Sequence, residues 1–98
     1  MNMQAMLQQA QRMQKDIQAK QEVINNSEYT GTSEMVDITI YGSKKVKSVN
    51  VKIKQLDEED VEVLEDMIKI AMNDAISKVE KDTEAKLGAY SKQLGGLM

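Results

Sequence analysis

Lys44 to Lys54 read KKVKSVNVKIK, five lysines in eleven residues with no acid among them. Side chains of this type do one kind of chemistry unaided: they attract phosphates and other polyanions. Lys44, Lys45 and Lys47 crowd beside Gly42-Ser43, a turn signal, where side chains reach outward. Lys52 and Lys54 alternate with Val51 and Ile53, the spacing of the wet face of a strand. Lysine on such a face also discourages edge-to-edge pairing. The turn lysines are therefore the stronger candidates for an anion grip.

Other chemistry is scarce. The 98-residue chain has no His, Cys, Trp or Phe. The commonest general base, the commonest transition-metal ligand and the most readily activated nucleophile are all absent. The acids of Asp57-Glu58-Glu59-Asp60 stand at the start of a helical pattern, where they favour the helix dipole. They lack the glycine and alternating oxygen ligands of an EF-hand loop. No catalytic residue, metal ligand, cofactor or small-molecule substrate is expected. No apolar run approaches the ~18 residues of a membrane span, and the N-terminus lacks a basic-then-apolar leader pattern. The expected setting is the cytoplasm, in keeping with the absence of Cys.

Charge is unevenly placed. Residues 1–56 carry eight basic and five acidic side chains, net +3, whereas residues 57–98 carry five basic and eleven acidic, net −6. A mildly basic front half is joined to an acidic back half.

The elements that must position these groups follow from periodicity, and the whole of 1–98 reads as one domain. Met3, Met6, Ala10, Met13, Ile17 and Ile24 recur at heptad spacing through a stretch without Gly or Pro, which predicts a helix over 3–24. Asn25-Asn26-Ser27 ends it, because short polar side chains compete for backbone hydrogen bonds. Strands are predicted over 27–31, 35–42 and 46–54. In the second, Val36, Ile38 and Ile40 share a face. In the third, Val49, Val51 and Ile53 do, making it a half-buried antiparallel strand. A second helix is predicted over 58–87 or longer, with Asp57 as its cap and Leu56 and Val61 as a hydrophobic staple. Gly88 or Gly95-Gly96 would end it, leaving 95–98 as a frayed tail. The fold class is α+β, a three-stranded antiparallel sheet with two long helices. Helices of about 33 and 40 Å on a chain this short outrun a globule of ~13 Å radius of gyration, which points to self-association.

Three segments carry a family resemblance: the helix MQAMLQQAQRMQKDIQAKQ, the strand pair VDITIYG and VKSVNVKI, and LEDMIKIAMNDAISKVE from Leu64 to Glu80. Together, and in this order, they resemble the YbaB/EbfC family of bacterial nucleoid-associated proteins from about residue 3 to residue 98. The resemblance implies α-β-β-β-α subunits, a homodimer with long helices standing out like tweezers, and binding of double-stranded DNA that influences nucleoid organisation and gene expression. The DNA-contact candidates are Arg12, Lys15, Lys20, Lys44, Lys45 and Lys47. The candidates for core or dimer contacts are Val49, Val51, Val61, Leu64, Ile68 and Met72. Asn73 and Asp74 are expected to serve the structure, Asn73 by hydrogen bonding across the dimer or to a loop. No helix-turn-helix, zinc finger or aromatic stacking platform is visible, so little sequence preference is expected. The alternative is a dimeric interaction module whose Met-rich first helix docks a protein, as flexible methionine surfaces can. A membrane-surface role for that helix is weaker, since it has few cations and no Trp or Phe.

Overall fold

The structure, a computed structural model, describes residues 2–95. Its elements follow the order α1 (Met3–Asn26), β1 (Glu28–Thr32), β2 (Val36–Tyr41), β3 (Val46–Val51) and α2 (Asp60–Gly95). The sheet is an antiparallel meander in the order β1-β2-β3. The α+β class and the α-β-β-β-α order are those read from the sequence.

Local chemistry sets the element ends. Asn2 caps α1 by accepting the Gln4 N–H at 3.1 Å. At the other end the Ser27 N–H donates to the Ile24 carbonyl and the Ser27 hydroxyl to the Val23 carbonyl, so α1 runs two residues past the expected 24. Before α2, Asp60 N–H donates to the Asp57 carbonyl at 2.9 Å and the Asp60 carboxylate accepts the Asp57 N–H at 3.2 Å. This tight turn moves the helix start from the expected 58 to Asp60, and Leu56 and Val61 stay exposed instead of closing a staple. Gly88 lies within α2, which continues to Gly95. Of the expected frayed tail, Gly95 is helical and 96–98 lie outside the described residues.

The core is thin. Val36, Ile38 and Ile40 point from β2 towards α2 and meet Ala71, Ala75 and Val79. The period of two and the period of about four meet here, each element offering one apolar row. What brings them close is Gly31 on β1. A Cβ at that position would overlap the Ala71 carbonyl oxygen and lie 2.9 Å from the Ala75 Cβ. Glycine on the strand and alanine on the helix let the two backbones touch.

The helix also closes the outer edge of β1. Thr32 N–H donates to the Asp74 carboxylate at 3.0 Å, and the Lys78 ammonium donates to the Thr30 carbonyl at 2.6 Å. Asp74 and Lys78 pair at 3.4 Å one turn apart and stand where another strand would pair, which blunts the edge. Asp74 therefore has the structural role expected of it, whereas Asn73 is exposed.

The third strand corrects the sequence reading. It ends at Val51 rather than 54, and all of its residues are exposed instead of alternating. Register pairs Val51 with Val36, Val49 with Ile38 and Val46 with Ile40, so these valines lie on the α2 side of the sheet. However, α2 crosses β1 and β2 and does not reach β3. The row is on the expected face and nothing in the chain covers it.

The α1 stripe is likewise only partly covered. Ile24 is buried, Met13 and Ile17 are half-buried, and every described residue before Met13 is exposed. The molecule measures 70 × 23 × 14 Å and has a Cα radius of gyration of 19.5 Å. That far exceeds the ~13 Å of a compact chain of this length.

Gly31→Ala is expected to lower stability by about 1–3 kcal/mol or more in urea unfolding, because the helix must lift off the strand. An unchanged midpoint would show that close backbone approach is not what holds α2 down.

Candidate nucleic-acid interface

The β2–β3 hairpin loop is the most sharply built part of the lysine-rich stretch. Lys44 N–H donates to the Tyr41 carbonyl at 2.8 Å, and Tyr41 N–H donates to the Lys45 carbonyl at 2.8 Å. This three-residue loop puts Lys44 at φ 75°, the left-handed position usually given to glycine in such hairpins. A β-bulge follows, since Thr39 pairs with Ser48 but Ile40 pairs with Val46, leaving Lys47 as the extra residue.

The loop is anchored to the end of α1. Gly42 N–H donates to the Ser27 carbonyl at 3.1 Å and Ser43 N–H to the Asn25 carbonyl at 3.3 Å. These amides satisfy acceptors at the helix terminus that its own turns cannot reach. A Cβ on Gly42 would overlap the Ile24 carbonyl, so the close approach needs glycine. Lys44 and Lys45 are exposed at this junction, and neither has an ion-pair partner among the described residues. Lys44 also lines an open groove with Gln21, Asn25, Val79, Glu80 and Thr83.

The other lysine and arginine candidates divide. Lys47 is exposed but paired with Glu28, which raises its pKa. Lys20 reaches Asp16 at 3.6 Å and the Tyr90 hydroxyl at 3.2 Å, with its ammonium 4.8 Å from the Tyr90 ring centre. Tyr90 in turn donates to Asp16. This cluster ties α1 to α2 and engages Lys20 internally. Arg12 and Lys15 are exposed, carry no ion pair among the described residues, and by helical phase lie away from the Met13–Ile17–Ile24 side that packs on α2. The structure thus brings Lys44 and Lys45 together on one loop and Arg12 and Lys15 on one arm.

The apolar candidates also divide. Leu64 and Met72 are half-buried against the core, whereas Val49, Val51, Val61 and Ile68 are exposed. Asp74 and Lys78 mark the flank of α2 that faces the outer edge of β1. By helical phase Val61, Ile68 and Met72 lie on the other side of α2 from that flank. The acids Asp57, Glu58, Glu59, Asp60 and Glu62 crowd the start of α2. Glu80, beside Lys44, lies twenty residues further along α2, so acid end and lysine loop are about 30 Å apart.

Three contacts escaped the sequence reading: the Asp74–Lys78 clamp, the Asp16–Lys20–Tyr90 cluster, and Tyr29 donating to Asp82. Asp16/Lys20, Asp74/Lys78 and Asp82/Lys86 all stand four apart, a spacing that was visible. Their partners on other elements had no sequence signal.

Among the described residues no three carboxylates converge as a metal site, and no helix is long and apolar enough to cross a membrane. The described surface presents unpaired lysines and arginine and exposed apolar side chains on a small α-β-β-β-α scaffold with projecting helices. The chain belongs to the YbaB/EbfC DNA-binding family, whose model matches residues 1–94. It is 45% identical over 96 residues to a protein of Lactococcus lactis subsp. cremoris named nucleoid-associated protein, covering 96% of this chain and 97% of the relative. A protein of the same name from Enterococcus faecalis is 42% identical over 97 residues, covering 97% and 93%. One from Ligilactobacillus salivarius is 34% identical over 99 residues, covering 99% and 95%.

The contacts above shift several pKa values. Asp74 is held below its ordinary 3.8, first by the Thr32 N–H and then by Lys78. Asp82 is held down by Lys86 and Tyr29, and Asp16 by the Tyr90 hydroxyl and Lys20. Tyr29 is pushed up from 10.0 to about 12, first by burial and then by Asp82. Stabilisation from the carboxylates is present above pH 3.8 and lost as pH falls below it. Stabilisation from the Tyr29 proton is present below pH 10.0 and lost as pH rises through about 12. The melting temperature is expected to be level between these limits and to fall on both sides. Asp74→Asn should flatten the acid limb, and an unaltered limb would remove the clamp as a contributor.

Proposed function

We propose that this protein is a homodimeric nucleoid-associated protein that binds double-stranded DNA with little sequence specificity, through lysine and arginine contacts to phosphate. The observation that carries the reading is the Lys44–Lys45 loop, pinned to the end of α1 with both ammonium groups free of ion pairs among the described residues. Family membership and the nucleoid-associated names of its relatives support the same partner. A net charge of −3 is no obstacle, because local patches and not net charge meet the phosphates. Bound to DNA, the protein resides at the nucleoid, in the cytoplasm, where it influences nucleoid organisation and gene expression.

The dimer reading is supported by the exposed apolar residues of β3 and α2. Val46, Val49 and Val51 on β3 and Val61 and Ile68 on α2 are exposed, apolar and outside the thin core. A second copy related by a two-fold axis would cover these residues with its own, extending both thin cores and doubling the lysine loops. The loops sit at the α1 end of the sheet and add to Arg12 and Lys15 on the projecting helices.

A titration of a labelled duplex of ~30 base pairs, followed by fluorescence anisotropy at several salt concentrations, tests the DNA reading. Four phosphate contacts from two loops give a slope of log K against log salt of about −3.6, at about −0.9 each. Lys44→Glu with Lys45→Glu should flatten that slope and weaken binding. Lys44→Gly should also weaken binding, while gaining about 1 kcal/mol of stability by relieving the left-handed backbone. Absence of binding at low salt would overturn the DNA reading in favour of a protein-docking module, for which the exposed Met3, Met6 and Leu7 are the supporting observation.

Sedimentation of Val49→Glu tests the dimer. This exposed site tolerates charge in the single chain, so the variant should be a folded monomer. A variant that remains dimeric places the contact elsewhere.

A further inference from the structure

Among the described residues, the side-chain hydrogen bonds that join α1 to α2 all pass through one group, the Tyr90 hydroxyl. It accepts from the Lys20 ammonium at 3.2 Å and donates to the Asp16 carboxylate. The same ammonium lies 4.8 Å from the Tyr90 ring centre, within cation–π reach, and 3.6 Å from Asp16. The hydroxyl thus spends both its donor and its acceptor capacity on two groups one turn apart on α1. It is the first cause that holds Asp16 below, and Lys20 above, their ordinary pKa values. The rest of the contact between the helices is apolar, and Met13 and Ile17 are only half-buried in it. Apolar contact is non-directional and does little to stop one helix rolling on another.

The place of this cluster along α1 gives it leverage. The helix is anchored at its C-terminal end, where the Gly42 and Ser43 amides meet the Ser27 and Asn25 carbonyls. Counted back from Asn25, Lys20 lies about 7 Å along the helix, Lys15 about 15 Å and Arg12 about 20 Å. The cluster therefore stands between the fixed end and the two free cations. A tilt of about 20° about the anchor would carry Arg12 some 7 Å sideways. Phosphates on one DNA strand are about 3.4 Å apart along the axis, so such a swing takes the cation past two of them.

We infer that Tyr90 is a positioning residue for DNA binding, acting through Asp16 and Lys20 to hold Arg12 and Lys15 in fixed register with Lys44 and Lys45. The inference rests on the DNA reading above and adds to it a residue that acts without touching the duplex. The loop cations and the arm cations lie within about 20 Å of each other along α1, less than the ~34 Å of one helical turn of DNA, so one subunit can present both to the same duplex. Cations on one rigid body engage a duplex together. Cations on a swinging arm must be ordered as they bind, and that ordering is subtracted from the affinity.

A double-mutant cycle on duplex affinity provides the test. Tyr90→Phe keeps the ring and removes only the hydroxyl. Affinity is measured for the wild type, for Tyr90→Phe, for Arg12→Gln with Lys15→Gln, and for all three substitutions together. Loss of the arm cations is expected to weaken the wild type about tenfold and the Tyr90→Phe protein hardly at all. Equal losses in both backgrounds would overturn the positioning role, because a tyrosine that only stabilises the fold leaves the arm's contribution unchanged. The chain has no cysteine, so Lys20→Cys with Tyr90→Cys can be joined within one chain by a short bismaleimide. The joined protein is expected to regain the arm's contribution and the unjoined one to lack it. A joined protein no tighter than the unjoined one would also overturn the role. Failure of the DNA reading is told apart by the wild type, whose absence of binding at low salt would take the positioning role down with it.

Discussion

Everything in this fold is arranged around one close approach, that of the α2 backbone onto β1 at Gly31, Ala71 and Ala75. Because those residues have so little side chain, helix and sheet sit nearer than large residues would allow. The helix is therefore drawn towards the β1 side of the sheet. Asp74 and Lys78 then reach the free backbone of β1 and close that edge. The consequence appears at the opposite edge. A helix committed to β1 and β2 cannot also cover β3, and Val46, Val49 and Val51 remain uncovered. A burial pattern that would be a defect in an isolated domain is coherent if the chain completes its core with a copy of itself.

A second coupling links the arm to the loop. The hairpin amides of Gly42 and Ser43 terminate α1, and the same loop turns through Lys44. The direction in which α1 leaves the domain and the direction in which Lys44 points are thus fixed by one cluster of backbone hydrogen bonds. Tyr90, bridging Asp16 and Lys20, repeats the fixation further out. The arm is a braced extension of the domain as far as Lys20, and a bare helix beyond Met13.

How much of this was legible in the sequence varied with the physics involved. Element types and order followed from periodicity, since the 2-residue alternation of Val36, Ile38 and Ile40 and the helical spacing of Ala71, Ala75 and Val79 are local properties. Burial of β3 was misjudged for the same reason. Alternation tells which face Val49 and Val51 share but not whether anything lies over it. The start of α2 was displaced by a turn that Asp60 closes, a matter of backbone hydrogen bonds. Among the candidate cations, charge alone ranked Lys20 with Lys44. Only the position of Tyr90, seventy residues from Lys20, separates a lysine that braces two helices from one presented at a loop. Gly31 and Gly42 read as ordinary turn or strand residues, and their importance lies in what approaches them.

The separation of charge along the molecule has a further consequence. With Asp57, Glu58, Glu59 and Asp60 gathered at the head of α2 and Lys44 and Lys45 about 30 Å away at the hairpin, the chain has an uneven charge distribution as well as a net negative charge. In the field of a DNA duplex such a body experiences a torque before it experiences contact. If the hairpin is the DNA contact proposed above, the acidic head of α2 would be turned away and the hairpin towards the phosphates, within roughly a Debye length of about 8 Å at physiological salt. The orientational search that ordinarily slows docking would be shortened, and added salt would lengthen it by loosening the alignment. A protein of net negative charge can in this way approach a polyanion in the right attitude, guided by where its charges stand.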